Sequence, residues 1–513
     1  MSKSIPFLIL VFIFALSVIF PQESRIFDED ALFIITDFEF DINGRSREHA
    51  LFDAGEFQEG LEVRGKANLE QYISEKRQLL INQRVLQTNV EITHTIGERQ
   101  SGGAYPVKLL IKVADSLNFF VFPVPRYNTN TGLDVLLRIR DYNFMGSLSP
   151  LRIDFIYRYD QDRRNSFGLW AELTIPFRAF GYNWNLNFDS LFNYQRGSED
   201  PFRFQSATGI SMQLPARSTT FTFGFEESFN LNMENQSRHW ETFGEIQRGF
   251  FMSSVMFAAW EIPTILTLPG FGQLIYTPFI SATFNHRFPA WPLESIHQGP
   301  FLDFGHSLGF TRINWHGNFR EGISVLLENS NRYDFYNLQN NGNPFSSSIT
   351  ASGIRHLIIS NFFGISAKLM YRHWFYHDPA YYDMAADAIR GITNRSLSAS
   401  YMLSLNLDFP LRLPKFAPSR WSGNDRLGIF DIEFHLAPIL DMALYNDPGT
   451  EVTFHPRNMV VGGGFELMIF PAFIRTLDMR AKIAWNLREV TVSPFSLPRG
   501  NNREIVFTMR HFF

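Results

Sequence analysis

From Leu397 to Leu411 every odd position is apolar: Leu397, Ala399, Tyr401, Leu403, Leu405, Leu407, Phe409 and Leu411. The even positions between them include Ser398, Ser400, Ser404, Asn406 and Asp408. Side chains on a β-strand point alternately to opposite faces, so one face of this segment is greasy and the other polar. Phe430–Leu444 repeats the pattern with even positions apolar and Asp431, Glu433, His435 and Asp441 on odd ones. Met459–Ile469, Met479–Leu487 and Ile505–Phe513 alternate again. Strands of this length cross a bilayer when tilted, whereas those of a soluble sandwich usually run to about five or six residues. In lipid every backbone polar group must be bonded, and a sheet meets that demand only by closing on itself. The alternation therefore predicts a mainly β fold built on a transmembrane antiparallel β-barrel.

Composition agrees. Apolar residues make up 45% of the chain, yet mean hydropathy is only -0.11, because polar residues dilute the apolar ones at every second position. Beyond the N-terminus no run of about 20 apolar residues appears, which excludes a bundle of membrane helices. The 55 Phe suit aromatic girdles at two membrane interfaces. A formal charge of -5 leaves no basic stripe for nucleic acid. The chain has no cysteine, hence no disulfide framework, thiolate metal site or acyl anchor. No cofactor motif is read. Residues 1–22 have the form of an export signal: Lys3 supplies charge and Ile5–Phe20 an apolar core, although no A-x-A pattern marks a cleavage site and an uncleaved anchor is the alternative.

The mature chain divides into two regions. Residues 30–116 hold strand-like Phe33–Ile42, helical spacing in Ser46–Ala54 and Asn68–Gln83, and β character in Val85–Thr95 and Tyr105–Ala114. That order predicts a small α+β domain (βααββ), a three-stranded sheet with two helices on one face, with Asn68 as a helix N-cap. Residues 118–513 show almost no helical spacing and many strands of about ten residues. At roughly 25 residues per strand plus loop, they predict a barrel of about sixteen strands.

Three stretches carry a family resemblance. Tyr127–Gly132 followed by Arg140-Asp-Tyr-Asn143-Phe-Met-Gly146 opens the barrel with a G…N-x-x-G pattern. Ile389-Arg390-Gly391-Ile392 is similar to an R-G-F/Y element, and Leu440-Asp441-Met442-Ala443 to an F-x-D-x-G segment. Ile392 stands where the pattern has an aromatic, and Ala443 where it has glycine. With a small βααββ domain before a large barrel, the chain resembles the POTRA-plus-barrel superfamily of outer-membrane assembly and secretion proteins, the BamA/TamA type, with a single POTRA-like domain.

Four other Arg-Gly pairs occur, at Arg64, Arg196, Arg248 and Arg499, so position must choose among them. Five strands follow Arg390, as the resemblance requires. Asp408 and Asp441 both fall on the polar face of their strands, so both carboxylates point into the lumen. A guanidinium forms planar, paired hydrogen bonds with carboxylates. Arg390, Gly391, Asp408 and Asp441 are therefore expected to form a latch between a folded-back loop and the wall.

The resemblance implies work without covalent chemistry. Unfolded outer-membrane or secreted client proteins would add a strand to the small domain's sheet edge in the periplasm. Periplasmic accessory proteins and outer-membrane lipid are the other implied partners. The client would then use a seam between the first strand, Phe119–Asn128, and the last. Pro123 and Pro125 lack the N–H that a ladder needs, and Phe507, Met509 and Phe513 are the seam's candidates on the last strand. A porin-like or partner-secretion channel without assembly activity is the alternative.

Two other patterns are weighed and set aside. Gly305-His-Ser307-Leu-Gly309 fits G-x-S-x-G, the nucleophile elbow that keeps an outer-membrane phospholipase as a remote alternative, but a strand rather than a helix is expected to follow it. His373 and His377 are four apart, which on a strand separates them by about 13 Å. An aromatic interfacial girdle accounts for them better than a metal site.

Overall fold

The computed structural model describes residues 31–99, 103–128, 132–159, 165–196, 201–231, 250–268, 272–287, 300–335, 338, 343–375, 383–384, 388–392, 398–446, 458–487 and 503–511. The export signal expected in residues 1–22 lies outside them, as do His377 and Phe513.

The N-terminal domain has four strands, Leu32–Asn43, Glu62–Arg64, Glu91–Ile96 and Tyr105–Ala114, and two helices, Glu48–Ala54 and Lys66–Asn82. Strand Leu32–Asn43 runs parallel to Tyr105–Ala114, with Glu62–Arg64 and Glu91–Ile96 outside them. Phe33, Ile35, Val107, Leu109 and Ile111 pack with helix residues Leu51, Leu69 and Leu80 in one buried cluster. The sheet thus has four strands, not three: Glu62–Arg64 is too short to alternate visibly and forms only because it pairs with Leu32–Ile34. The last hairpin begins at Glu91 rather than Val85. Nor is Asn68 an N-cap. The helix starts at Lys66 behind Gly65, whose φ of 82° favours glycine, and the Asn68 amide donates to Arg64 O at 2.7 Å.

Apart from a short two-stranded sheet, Asp383–Met384 with Ser398–Ala399, the remaining strands form a closed antiparallel barrel of 18 staves. Each pairs with its neighbour in sequence, and the last pairs with the first. Tyr401–Asp408 and Leu411–Arg412 are two pieces of one stave, interrupted at Phe409–Pro410; both pair with Phe363–Phe375 and Ile432–Tyr445. The expected count of about sixteen is too low because two-residue turns at one rim make the strand-plus-loop repeat shorter than assumed, even though many strands are longer than ten residues. At the rim that carries the N-terminal domain, two-residue turns such as Phe180-Gly181, Arg217-Ser218, Gly317-Asn318 and Asn361-Phe362 join successive strands.

The faces divide as the alternation predicts. Phe167, Phe225, Ile280, Leu327 and Phe465 stand exposed on the outer surface, whereas Asp134, Arg140, Asp154, Arg158, Asp441 and Asp478 are buried on the inner one. So large an apolar exterior on a ladder closed through the last-to-first seam suits lipid rather than water.

Candidate functional site

The inner wall around Asp441 is built by three adjacent staves. Asn406 lies opposite Asp441, and Asp441 lies opposite Gly462. Above them a folded-in loop brings Ala388, Ile389, Arg390, Gly391 and Ile392 into the lumen. The Asn406 amide donates to Ala388 O at 2.9 Å. Arg390 donates its backbone N–H to Asp441 Oδ2 at 2.8 Å and its Nε to the same oxygen at 2.7 Å. Its Nη2 reaches Asp441 Oδ1 at 2.5 Å, and Nη1 lies 2.6 Å from Asp408 Oδ1. Asp441 is wholly buried, so three donors on one carboxylate replace the water it lost.

Sequence reasoning missed the next partner. The Gly391 N–H donates to Glu504 Oε2 at 2.9 Å, and Lys482 holds Glu504 from the neighbouring strand at 3.2 Å. Glu504 belongs to the last strand, so the loop tip touches the seam's own wall. Its even position on an alternating strand placed it inward, but a backbone donor leaves no residue signature. Two glycines make the approach possible. Gly391 has φ 88°, and a Cβ there would come within 2.7 Å of the Trp485 backbone. A Cβ on Gly462 would lie 1.9 Å from Arg390 O. Ile392 and Ala443, the two departures from the family pattern, share one buried apolar cluster with Ile389, Ala399, Met402 and Val460.

Along the seam, the last strand (Arg503–His511) pairs with Leu477–Asn486 at nine positions, Trp485↔Arg503 through Leu477↔His511. On its other side, among the described residues, it pairs with Phe119–Asn128 at two, Val506↔Asn128 and Phe507↔Tyr127. Continuing that register would set Pro125 opposite Met509 and Pro123 opposite His511, but pairing has stopped by then. The Tyr142 N–H donates to Asn118 O at 3.0 Å, and the register of the first hairpin runs on without a shift. Even positions of the first strand therefore address the second strand, and odd positions, Pro123 and Pro125 among them, address the last. Both prolines turn their missing donors toward the seam.

The N-x-x-G turn after the first hairpin joins barrel and N-terminal domain. Asn143 is wholly buried; its amide donates to Ser46 Oγ at 2.8 Å and Asp115 Oδ2 at 3.0 Å. Gly146 accepts from the Arg47 N–H at 2.9 Å, and Arg45 pairs with Asp141. Elsewhere on the rim Arg178 meets Asp53 at 2.7 Å, and Arg84 reaches Gly317 O, Asn318 and Arg475 O. These turns are spread around the ring, so the domain lies across the barrel mouth.

The two decoys resolve simply. Ser307 sits inside an unbroken strand, Phe301–His316, which runs nine residues past it to a hairpin turn, with no helix following. His373 lies opposite Tyr401 on the outer face, its ring 3.8 Å from that of Phe375. Among the described residues no group of three or more His, Asp or Glu side chains could hold a metal ion.

No protein-family model and no curated protein matches the chain. Among solved structures, it is similar to BamA from Haemophilus ducreyi lacking POTRA domains 1–3, at 11% identity over 94% of this chain and 85% of that one, TM-score 0.38. It is also similar to CdiB from Acinetobacter baumannii, at 12% identity over 93% and 74%, TM-score 0.44. CdiB from Escherichia coli gives 9% identity over 96% and 93%, TM-score 0.39.

Proposed function

We propose that this chain is an outer-membrane assembly or translocation factor of the POTRA-plus-barrel superfamily, with its N-terminal domain in the periplasm and unfolded outer-membrane or secreted polypeptides as clients. The observation that carries the reading is the asymmetry of the last strand, which among the described residues holds one neighbour over nine positions and the other over two. A barrel serving only as a pore gains nothing from so sparsely paired a seam, because unbonded backbone in lipid is costly.

A client strand adds first to the N-terminal domain. Beyond Ile34 the outer edge of strand Leu32–Asn43 has no strand partner among the described residues, and backbone bonding there tolerates many side-chain sequences. The client then reaches the seam, where the proline-bearing first strand parts from the last and leaves an edge that can template a new strand. The Arg390–Gly391 tip keeps the last strand in place during this exchange through Glu504.

Cysteines at Arg126 and Thr508, the next pair in register beyond Tyr127↔Phe507, test the reading. Oxidation should close the seam and stop client assembly, with reduction restoring it. Full assembly in the locked protein would reject gating at the seam. Profiling the outer-membrane proteome after depletion separates the classes: misassembled barrels accumulate for an assembly factor, whereas one secreted partner disappears for a translocator.

A further inference from the structure

Connections at the rim facing the N-terminal domain are short, many of only two residues, with one large exception. Between Arg412 and Ile432 the chain makes an excursion containing helix Pro418–Ser422 and a 3-10 turn, Asp425–Phe430. It is the longest described connection on that rim. Its apolar side chains are left in the open: Trp421 is 66% exposed, Phe430 54%, Ile429 53% and Phe416 44%. A hairpin turn needs none of this length, and water does not favour so many exposed rings.

The pairing fixes which way the excursion faces. Asp441, Glu433 and His435 are buried on the inner face of strand Ile432–Tyr445, so Ile432 and Phe434 point outward. Phe416 and Ile432 exchange both backbone bonds, at 3.0 and 2.8 Å, which puts Phe416 on the same outer face. The Trp421 ring packs edge-on against Phe416 at 5.1 Å. The Asp431 carboxylate accepts from the Ser419 backbone and hydroxyl and pins the helix down. The aromatic group is thus continuous with the barrel's apolar exterior at its lower edge. Exposed Phe362, in the neighbouring turn of the same rim, extends it. Arg420 and Arg426 belong to the same segment and are exposed, whereas Lys415 is committed to Glu433 at 2.8 Å and Asp431 to Ser419.

We propose that residues 413–431 form an interfacial anchor that binds phospholipid in the periplasmic leaflet, with Phe416, Trp421, Ile429 and Phe430 at the acyl–headgroup boundary and Arg420 and Arg426 toward the phosphates. Indole and phenyl rings favour this zone, and cations beside them meet the phosphate layer. The anchor holds the staves from Tyr401 to Asn486 at a fixed depth, and these are the staves that carry the Arg390 contacts. The proposal rests on the barrel being embedded in a membrane, and its test separates the two.

Because the chain lacks cysteine, single nitroxide labels can be placed at Trp421→Cys, Phe430→Cys, Asp425→Cys and Leu405→Cys in the full-length protein. The proteins are reconstituted in vesicles of phosphatidylethanolamine and phosphatidylglycerol, and accessibility to oxygen and to a water-soluble nickel chelate is read by EPR. Leu405 faces outward at mid-strand and should report the bilayer interior, and Asp425 should report water. Labels at 421 and 430 should lie between them, and their nickel accessibility should rise when the protein is moved from vesicles to lipid-free amphipol. Nickel accessibility at 421 and 430 equal to that at 425, with 405 still in lipid, overturns the anchor and leaves the barrel reading intact. A water-exposed label at 405 removes both. Dipolar broadening at 421 that disappears on dilution with unlabelled protein assigns the surface to a second copy and also overturns the anchor.

Discussion

Arg390 binds Asp441 through its backbone as well as its side chain: the backbone N–H and Nε share Oδ2 at 2.8 and 2.7 Å while Nη2 takes Oδ1 at 2.5 Å. Removing the guanidinium would leave a wholly buried carboxylate with one donor. Arg390→Ala should therefore cost about 3–5 kcal/mol of loop docking. It should appear as lost heat-modifiable gel migration and faster proteolysis of the loop. Arg390→Lys keeps charge without the fork and should recover only part. Asp408 is more exposed than Asp441 at its side chain, 37% against 1%, so Asp408→Asn should cost no more than about 1 kcal/mol. Equal effects at the two aspartates would refute this ranking.

Gly462→Ala tests the same dock without touching a charge. The added methyl would fall 1.9 Å from Arg390 O, so either the loop tip or the strand must move. The expected result is a protease-sensitive loop with Arg390 and Asp441 still present. Gly391→Ala adds backbone strain to a similar clash and should be at least as damaging. Intact protection of the loop in Gly462→Ala would show that the tip does not sit against this strand.

Alternation made the barrel and its inner face legible, because period two survives in a single sequence wherever one face meets lipid. It also placed Asp408 and Asp441 inward before any partner was known. Strand number was less legible: it rested on an assumed length of strand plus loop, and two-residue turns such as Phe180-Gly181, which carry almost no signature of their own, make the true repeat shorter. Strand Glu62–Arg64 was invisible because its three residues depend wholly on their neighbour. The Glu504 contact was hidden because its donor is a peptide N–H. Arg84 was hidden because its partners lie more than two hundred residues away and are mostly carbonyls.

The prolines give the seam its own test. Pro123→Val with Pro125→Val restores two donors aimed at the last strand and suits an exposed strand position. Two net hydrogen bonds should strengthen the seam by about 1–3 kcal/mol. Amide exchange should slow in residues 508–511, and client assembly should slow with it. Unchanged exchange would mean that something other than the prolines keeps these strands apart.

Arg84 locks the N-terminal domain onto the barrel mouth. It is 2% exposed and donates to Gly317 O at 3.2 Å, Asn318 Oδ1 at 2.9 Å and Arg475 O, with its guanidinium 4.6 Å over the Trp315 ring. Burial, and then neighbouring Arg475, push its pKa down from the ordinary arginine range, yet arginine keeps its proton at any pH the protein meets. Carbonyl oxygens and a ring thus contact the charge directly. Arg84→Ala leaves those acceptors unfilled and should weaken docking by about 1.5–3 kcal/mol. Asn82 and Asn314 touch across the same junction at 3.0 Å, so cysteines at these two positions report the docked state by disulfide formation. Arg84→Ala should slow that reaction by roughly tenfold or more, as the docking loss implies, while heat-modifiable migration of the barrel stays unchanged. An unaltered rate would show that the docked state does not depend on Arg84 but on the other contacts, such as Asn143–Asp115 and Arg178–Asp53.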